Sequence, residues 1–232
     1  SDDLWRTTLD LATELDLPVH AHVAQSVEEY TRSITRHGCS PIARLARHGL
    51  LDHAPHLLMV HALFTSKEDL TLLDPSRHTL GYCPFSQLIF GFPAHLQRWH
   101  EHGVPYIVAT DAAASNDSMN LQKELRHLYG LRTQAATFSK CYEDFYHSGS
   151  LEDANQTWQT RQLSHAHSAH FSDHDALLAT VLHRPGMMHP HMSAGQIAPG
   201  ALTNLTAWDL SHPHMWPPAH PKRALVMNDS TQ

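Results

Sequence analysis

The stretch GVPYIVATDAAASNDSMNLQKELR, residues 103–126, contains the pattern that decides the fold. Residues 106–110 form an apolar run that predicts a buried strand, and residues 121–131 predict a helix. Asp111, Ser115 and Asn116 lie between the two elements, directly after the strand. The stretch therefore predicts one strand–helix unit with polar side chains where the strand ends.

The same unit recurs on the N-terminal side. Strands are predicted at 18–23, 57–60 and 79–83. Helices are predicted at 4–15, 27–36, 42–48, 66–73 and 94–101, with Asp3 as the N-cap of the first and Ser66 as the N-cap of the fourth. Four strands separated by helices predict an α/β fold with a parallel sheet, either doubly wound or a (β/α) barrel. The strand pattern alone leaves both architectures open.

The rest of the chain departs from this repeat. Residues 135–170 are polar and aromatic and are interpreted as an insertion, and a further helix is predicted at 173–182. From residue 195 onward, alternating Leu202 and Leu205 precede a proline-rich tail, which predicts a small β element. We therefore expect two domains, 1–194 and 195–232.

Composition excludes several classes of protein. The chain has 232 residues with 41% hydrophobic and 17% charged residues, which is typical of a packed globular protein. Its apolar stretches are shorter than the roughly 20 residues needed to span a bilayer. A net charge of -7 without a basic block argues against nucleic-acid and membrane partners. Three cysteines without a CxxC pair make the cytoplasm the expected compartment.

Polar residues follow every predicted strand, and the carboxyl ends of parallel strands meet at one edge of a sheet. His22, His61 and Asp111 are therefore expected on one rim. Imidazole and carboxylate groups are the ligands of a catalytic zinc or iron that keeps a position open for water. With 23 histidines in the chain, single positions are weak signals. His20 is accordingly set aside as structural, with its side chain expected to point away from that of His22.

Four segments resemble the amidohydrolase superfamily, in particular its cytosine deaminase and triazine chlorohydrolase branch. These segments are VHAHVAQSVEEY at 19–30, LMVHALFTSKEDL at 58–70, the stretch at 103–126, and SAGQIAPGALTNLTAWDL at 193–210. The resemblance implies the C-terminal half, strands 5 to 8, of a (β/α)8 TIM-type barrel plus part of a small β-sandwich. It also implies that strands 1 to 4, with the family's His-x-His ligand pair, precede Ser1.

The resemblance assigns roles to the rim residues. It implies one divalent metal ion, expected to be zinc with iron as the alternative. His22 would be a metal ligand, Asp111 a ligand and the base for the water, and His61 the group that polarises the reacting atom. Gln25 stands where deaminases of this branch carry a proton-shuttling glutamate, and glutamine cannot deliver that proton.

The expected function is hydrolysis of a C–N bond, or alternatively a C–halogen bond, in a small cyclic or heterocyclic substrate. Six residues are expected to contact the substrate: Gln25, Tyr82, Phe85, Gln87, Ser115 and Asn116. For Tyr82 a purely structural position in the core is an equal alternative. The rival hypotheses are an inactive fragment that serves as a binding or assembly module, and a histidine-rich metal buffer. The oligomeric state stays open between a monomer and a homo-oligomer.

Overall fold

The computed structural model describes residues 1–91, 96–131, 152, 173–189, 191–216 and 219–228. Apart from Glu152, the insertion predicted at 135–170 lies outside these residues. The site residues predicted from the sequence all lie within them.

Four short strands form one parallel sheet, which confirms the predicted α/β class. They are β1 (Val19–Val23), β2 (Leu57–His61), β3 (His78–Tyr82) and β4 (Tyr106–Val108). The order in the sheet is β1-β2-β3-β4, so each strand pairs with its neighbour in sequence. A doubly wound sheet reverses its strand order at a switch point, whereas a barrel adds strands in sequence. The order therefore favours the barrel architecture.

Helices connect the strands and lie close to the predicted bounds. The first eight are α1 (Asp2–Leu15), α2 (Val27–His37), α3 (Pro41–Arg47), α4 (Lys67–Thr71), α5 (Pro84–Phe90), α6 (Leu96–Glu101), α7 (Ala113–Asn116) and α8 (Leu121–Leu131). Ser66 caps α4 as predicted and forms a reciprocal capping box with Asp69. The expected cap of α1 is wrong, because the Ser1 hydroxyl accepts from the Leu4 N–H and Asp3 is already helical.

Helices α5 and α7 were not predicted. Both begin within a few residues of a strand end and are short, with seven residues in α5 (PFSQLIF) and four in α7 (AASN), so neither is long enough to show a periodic apolar face. Beyond α8 the structure contains helices His174–Leu182, Arg184–Met187 and Pro221–Met227 and a 3-10 turn at Pro213–Met215. Across the described part of the chain, no helix has the length and apolar character required to cross a bilayer.

The β element predicted near Leu202 and Leu205 is absent from the described residues of 195–232. Both leucine side chains are exposed. Alternating apolar residues favour a strand only where a neighbouring strand satisfies the backbone and a core covers one face. The alternation of Leu202 and Leu205 was therefore not sufficient to form a strand. The assignment of 195–232 to a β-sandwich stays a prediction.

Two compact units make up the chain. The first comprises Ser1–Cys83, Arg98–Ala109 and Thr180–Thr206 and contains the whole sheet. Every residue of β2 and β3 is buried, as expected for strands covered on both faces. A buried hydrophobic cluster includes residues of the sheet itself and consists of Leu58, Val60, Cys83, Ile107 and Met188.

The second unit comprises Pro84–Gln97, Thr110–Ala179 and Ala207–Gln232. In its described part, α8 packs against the helix Pro221–Met227 and against α5. Leu125, Leu128 and Leu177 are among its buried residues. The segments that begin at Pro84 after β3 and at Thr110 after β4 belong to this unit.

Candidate active site

In the first unit, the predicted ligand His22 and the predicted catalytic residue His61 lie side by side at the carboxyl edge of the sheet. His22 is the fourth residue of β1 and His61 the last residue of β2, and the register pairs His22 with Val60. Their rings stack with centroids 5.2 Å apart and planes inclined by 19°. His22 is exposed, whereas His61 is only 1% exposed. Adjacent parallel strands thus bring these two imidazoles together, as the sequence predicted.

The expectation for His20 is wrong. Residues two apart in a strand lie on the same face, so His20 and His22 share one side of β1. Burial, and secondarily the neighbouring His22, lower the pKa of the His20 imidazole. His20 is therefore a neighbour of the rim and does not point away from it.

Backbone strain accompanies these strand ends. Ala24, His61, Ala62 and Asp111 all have φ between 47° and 73°, in the left-handed region that side chains with a Cβ rarely adopt. In the first unit, the Ala62 N–H donates to the Val23 carbonyl at 3.0 Å and holds the end of β2 against β1. Strained residues that persist in a fold cluster at active sites and ligand clamps.

The loop after β1 is fixed by Glu29. Its two carboxylate oxygens accept the backbone N–H groups of Ala24 at 2.9 Å and Gln25 at 2.8 Å. Glu29 occupies the third position of α2, and its own N–H donates to the Ser26 cap at 3.2 Å. We name this arrangement the Glu29 clamp. It holds the half-buried Gln25, for which the sequence predicts substrate contact, directly after the strand.

In the second unit, Asp111 is held by two donors. The Ser86 hydroxyl donates to Oδ2 at 2.5 Å, and the Ala112 N–H donates to Oδ1 at 2.7 Å. Ser86 was not among the predicted site residues, although it lies between the predicted Phe85 and Gln87.

A second carboxylate, Glu124, lies buried in the same unit and was also missed. One oxygen accepts the Phe85 N–H at 2.9 Å, and the other accepts the Asn116 side-chain amide at 2.7 Å. Burial raises the pKa of the Glu124 carboxyl, and the charge of Asp111 raises it further, against the effect of the two hydrogen bonds. The available signal was its place on α8, four residues before the buried Leu128, on the apolar face of the helix.

The remaining predicted residues have varied surroundings. Tyr82 is 2% exposed and packs edge-on against Trp99, which is the core position that the sequence left open. In the second unit, the Phe85 ring lies 5.0 Å from the His127 ring, and Gln87 is buried. The Ser115 hydroxyl donates to the Ala112 carbonyl at 3.0 Å.

Asn116 is occupied inside the second unit. In addition to its bond with Glu124, its amide donates to the Thr110 carbonyl at 2.6 Å. The side-chain nitrogen of this predicted substrate contact thus binds the protein itself.

The chain is similar in sequence to known proteins. The sequence profile described as the amidohydrolase family matches residues 1–149. A 5-methylthioadenosine/S-adenosylhomocysteine deaminase of Nitratidesulfovibrio vulgaris (strain DSM 19637 / Miyazaki F) is 27% identical over 229 residues, 97% of this chain and 44% of that protein. The chain thus spans less than half the length of this relative.

Two solved structures share the fold. An adenosine deaminase from Xanthomonas campestris with bound zinc superposes with a TM-score of 0.76 at 22% identity, over 98% of this chain and 45% of that one. An atrazine chlorohydrolase from Arthrobacter aurescens TC1 complexed with zinc gives a TM-score of 0.73 at 18% identity, over 100% of this chain and 44% of that one. Because the family profile covers more than half of the sequence, the chain belongs to the amidohydrolase family.

Proposed function

We propose that this chain is part of a metal-dependent hydrolase that cleaves a C–N bond of a small cyclic or heterocyclic substrate with metal-activated water. The observation that carries the proposal is the stacked pair of His22 and His61 at the carboxyl edge of β1 and β2. In parallel α/β folds this edge carries the ligand site. Family membership supports the same chemistry.

Chain connectivity supports Asp111 as the third member of the site. The Ala109 N–H donates to the Tyr82 carbonyl at 2.9 Å, so the chain is still tied to β3 at this point. Asp111 follows two residues later, and two residues span at most about 7 Å. His22, His61 and Asp111 together offer two imidazoles and one carboxylate. This donor set fits a divalent zinc or iron ion and is too rich in nitrogen to be typical of magnesium or calcium.

The proposed roles follow from the chemistry of each side chain. A divalent ion in such a site supplies Lewis-acid activation of water. The Asp111 carboxylate accepts the proton of the attacking water, and the buried His61 stabilises the negative charge that develops on the substrate. Gln25, held by the Glu29 clamp, hydrogen-bonds the heterocycle. Phe85, Gln87 and Ser115 are proposed to contact the substrate as well.

Deamination is the leading form of the reaction, because the relatives and one solved structure are named as deaminases. Gln25 favours a leaving group that needs less protonation than ammonia does, since an amide side chain cannot act as an acid. Other amide or amidine hydrolysis fits this residue better. Cleavage of a C–halogen bond is the further alternative, in line with the name of the atrazine chlorohydrolase.

We place β1 to β4 as the fifth to eighth strands of a (β/α)8 barrel in the cytosine deaminase and triazine chlorohydrolase branch. The sequential strand order and the four matching segments support this placement. The proposal includes a cytoplasmic location and a small-molecule substrate as the partner. It does not include nucleic-acid or membrane binding.

One observation favours a second function, a binding or assembly module without catalysis. Gln25 replaces the acid that the deaminase reaction needs, so the rim alone does not guarantee turnover. Metal content separates the two functions, because a module has no requirement for the ion.

The test is elemental analysis of metal per chain, on this chain and on the longest polypeptide that its gene encodes. We expect about one zinc or iron per molecule of the longest form, because mononuclear catalytic sites hold one ion. His22→Ala and Asp111→Ala should each abolish it. His53→Ala and Asp3→Ala, which change exposed side chains of the first unit, should retain the metal.

A metal-free protein that keeps native circular dichroism would exclude the hydrolase mechanism and leave the binding module. Retention of metal in Asp111→Ala would remove that carboxylate from the ligand set. Once metal is established, heterocyclic amines, amides and halides are the substrates to compare.

A further inference from the structure

Glu124 connects the two segments that hold Asp111 and its hydrogen-bond partner. Within the second unit it is 1% exposed and accepts one bond from the Phe85 N–H and one from the Asn116 amide. Phe85 and Asn116 are 31 residues apart in the sequence by their numbers. A single buried carboxylate thus ties the segment after β3 to the segment after β4.

Each hydrogen-bond partner of Glu124 is connected to Asp111 through one further residue. Phe85 directly precedes Ser86, whose hydroxyl donates to Asp111 Oδ2 at 2.5 Å. Asn116 donates to the carbonyl of Thr110 at 2.6 Å, and Thr110 directly precedes Asp111. Glu124 therefore fixes the backbone beside the donor and the backbone beside the acceptor of the Ser86–Asp111 bond.

We propose that Glu124 is the positioning residue that sets the orientation of the Asp111 carboxylate. The relevance to a metal ion rests on the proposed function, whereas the orientation itself is a property of this unit alone. Asp111 has a φ of 61°, a strained conformation that persists only where surrounding contacts determine it. The contacts through Ser86 and Asn116 are such determinants.

The position requires a group with two acceptors. Both partners of Glu124 are N–H donors, and an ionised carboxylate accepts from both. Glutamine offers one acceptor oxygen and would turn its own NH2 group toward a donor. Aspartate keeps both acceptors but is shorter by one methylene group. A positioning role through hydrogen bonds thus makes Glu124→Asp less harmful than Glu124→Gln, whereas a role in filling space makes it more harmful.

The test is hydrogen exchange of single backbone amides, measured by NMR on the metal-free chain. The reporters are the Phe85 amide, which donates to Glu124, and the Ala112 amide, which donates to Asp111. In Glu124→Gln we expect both to exchange about tenfold faster, the loss expected for one hydrogen bond. The smaller rise is expected in Glu124→Asp. Glu14→Gln, on the exposed face of α1, is the matched control and should leave both rates unchanged.

The amide of Met59, in the middle of the buried β2, reports on unfolding of the sheet. If it accelerates together with Ala112 in both Glu124 variants, the effect is global and Glu124 is only a structural residue. An unchanged Ala112 rate in a folded Glu124→Gln protein would also overturn the proposal. The proposal would also be overturned if the Phe85 and Ala112 exchange rates in Glu124→Gln were closer to wild type than those in Glu124→Asp.

Zinc binding provides the second readout. If the proposed function holds, Glu124→Gln should weaken zinc affinity at least about tenfold, as residues that orient a metal ligand do. If the wild-type protein binds no zinc but Ala112 exchanges faster in Glu124→Gln, the proposed function is contradicted and the positioning role of Glu124 stands. If the wild-type protein binds zinc but Ala112 exchange is unchanged in Glu124→Gln, the proposed function stands and the positioning role of Glu124 is contradicted.

Discussion

Two glutamates hold the polar segments that follow the strands, but they differ in reach. Glu29 binds the N–H groups of Ala24 and Gln25, which lie five and four residues before it. Glu124 binds the N–H of Phe85, which lies 39 residues before it, as well as the side chain of Asn116. Glu29 is half-buried, and Glu124 is buried.

The difference shows how a local and a long-range contact achieve similar ends. The Glu29 clamp is formed by the first turn of α2, since Ser26 and Glu29 have the spacing of a capping box. Its carboxylate reaches past Ser26 to the two preceding N–H groups, which fixes the loop after β1. Glu124 acts only once β3 and β4 have brought their following segments together. We therefore expect the two residues to respond differently to the same changes.

The largest expected effect is on stability. Glu124→Ala leaves the part-buried Phe85 N–H and one N–H of the buried Asn116 amide without their acceptor, so the free energy of unfolding should fall by about 3 kcal/mol. Glu29→Ala should lower it by about 1 kcal/mol, because Gln25 and Glu29 are only half-buried and water can reach the Gln25 N–H, although Ala24 is buried. Urea unfolding of both variants measures the difference. Equal losses would show that reach and burial do not distinguish the two carboxylates.

The next expected effect concerns Ser86, which the Glu124 network presents to Asp111. Ser86→Ala removes the donor to Asp111 Oδ2, and zinc affinity should fall about tenfold, as for other residues that orient a metal ligand. Ser33→Ala is the matched control near the Glu29 clamp, because the buried Ser33 hydroxyl donates to the Cys39 carbonyl at 2.8 Å. It should lower stability without changing zinc affinity. Competition with a chromogenic chelator measures the zinc affinity of both variants. A similar loss of zinc affinity in Ser33→Ala would contradict the proposed role of Ser86 in orienting Asp111.

Ser86 and Glu124 show which contacts of the site could not be predicted from the sequence. His22, His61 and Asp111 were predicted because each lies at or next to the carboxyl end of a predicted strand, and parallel strands share one edge. Ser86 and Glu124 carry no such signal, since a serine after a strand and a glutamate in a helix are ordinary on a surface. Their burial depends on α5, which was not predicted, and on its packing against α8.

The smallest expected effect is a dependence of stability on pH. Burial raises the folded-state pKa of the Glu124 carboxyl above its ordinary value of 4.5, so in that range the folded state binds more protons than the unfolded state. The contribution of Glu124 is fully present below pH 4.5 and is lost as the pH rises through the folded pKa. The stability of wild type relative to Glu124→Gln should therefore decrease over this window. Parallel curves from urea unfolding at several pH values would contradict the raised pKa.

The sequence by itself determined the repeat of strand and helix. Buried strands need continuous apolar runs, and helices need caps and periodic apolar faces, so the runs at Leu57–His61 and Leu121–Leu131 specify their own structure. It also determined which side chains stand at the strand ends, because their place follows from chain position alone.

The tertiary structure decided what those side chains contact. Leu202 and Leu205 alternate like a strand but remain exposed, because an apolar pattern forms a strand only with a partner. Glu124 resembles any helical glutamate until folding removes its water, after which its two oxygens must find donors within the protein. Local patterns fix elements because their hydrogen bonds are local, whereas buried polar contacts depend on which distant segments the fold brings together.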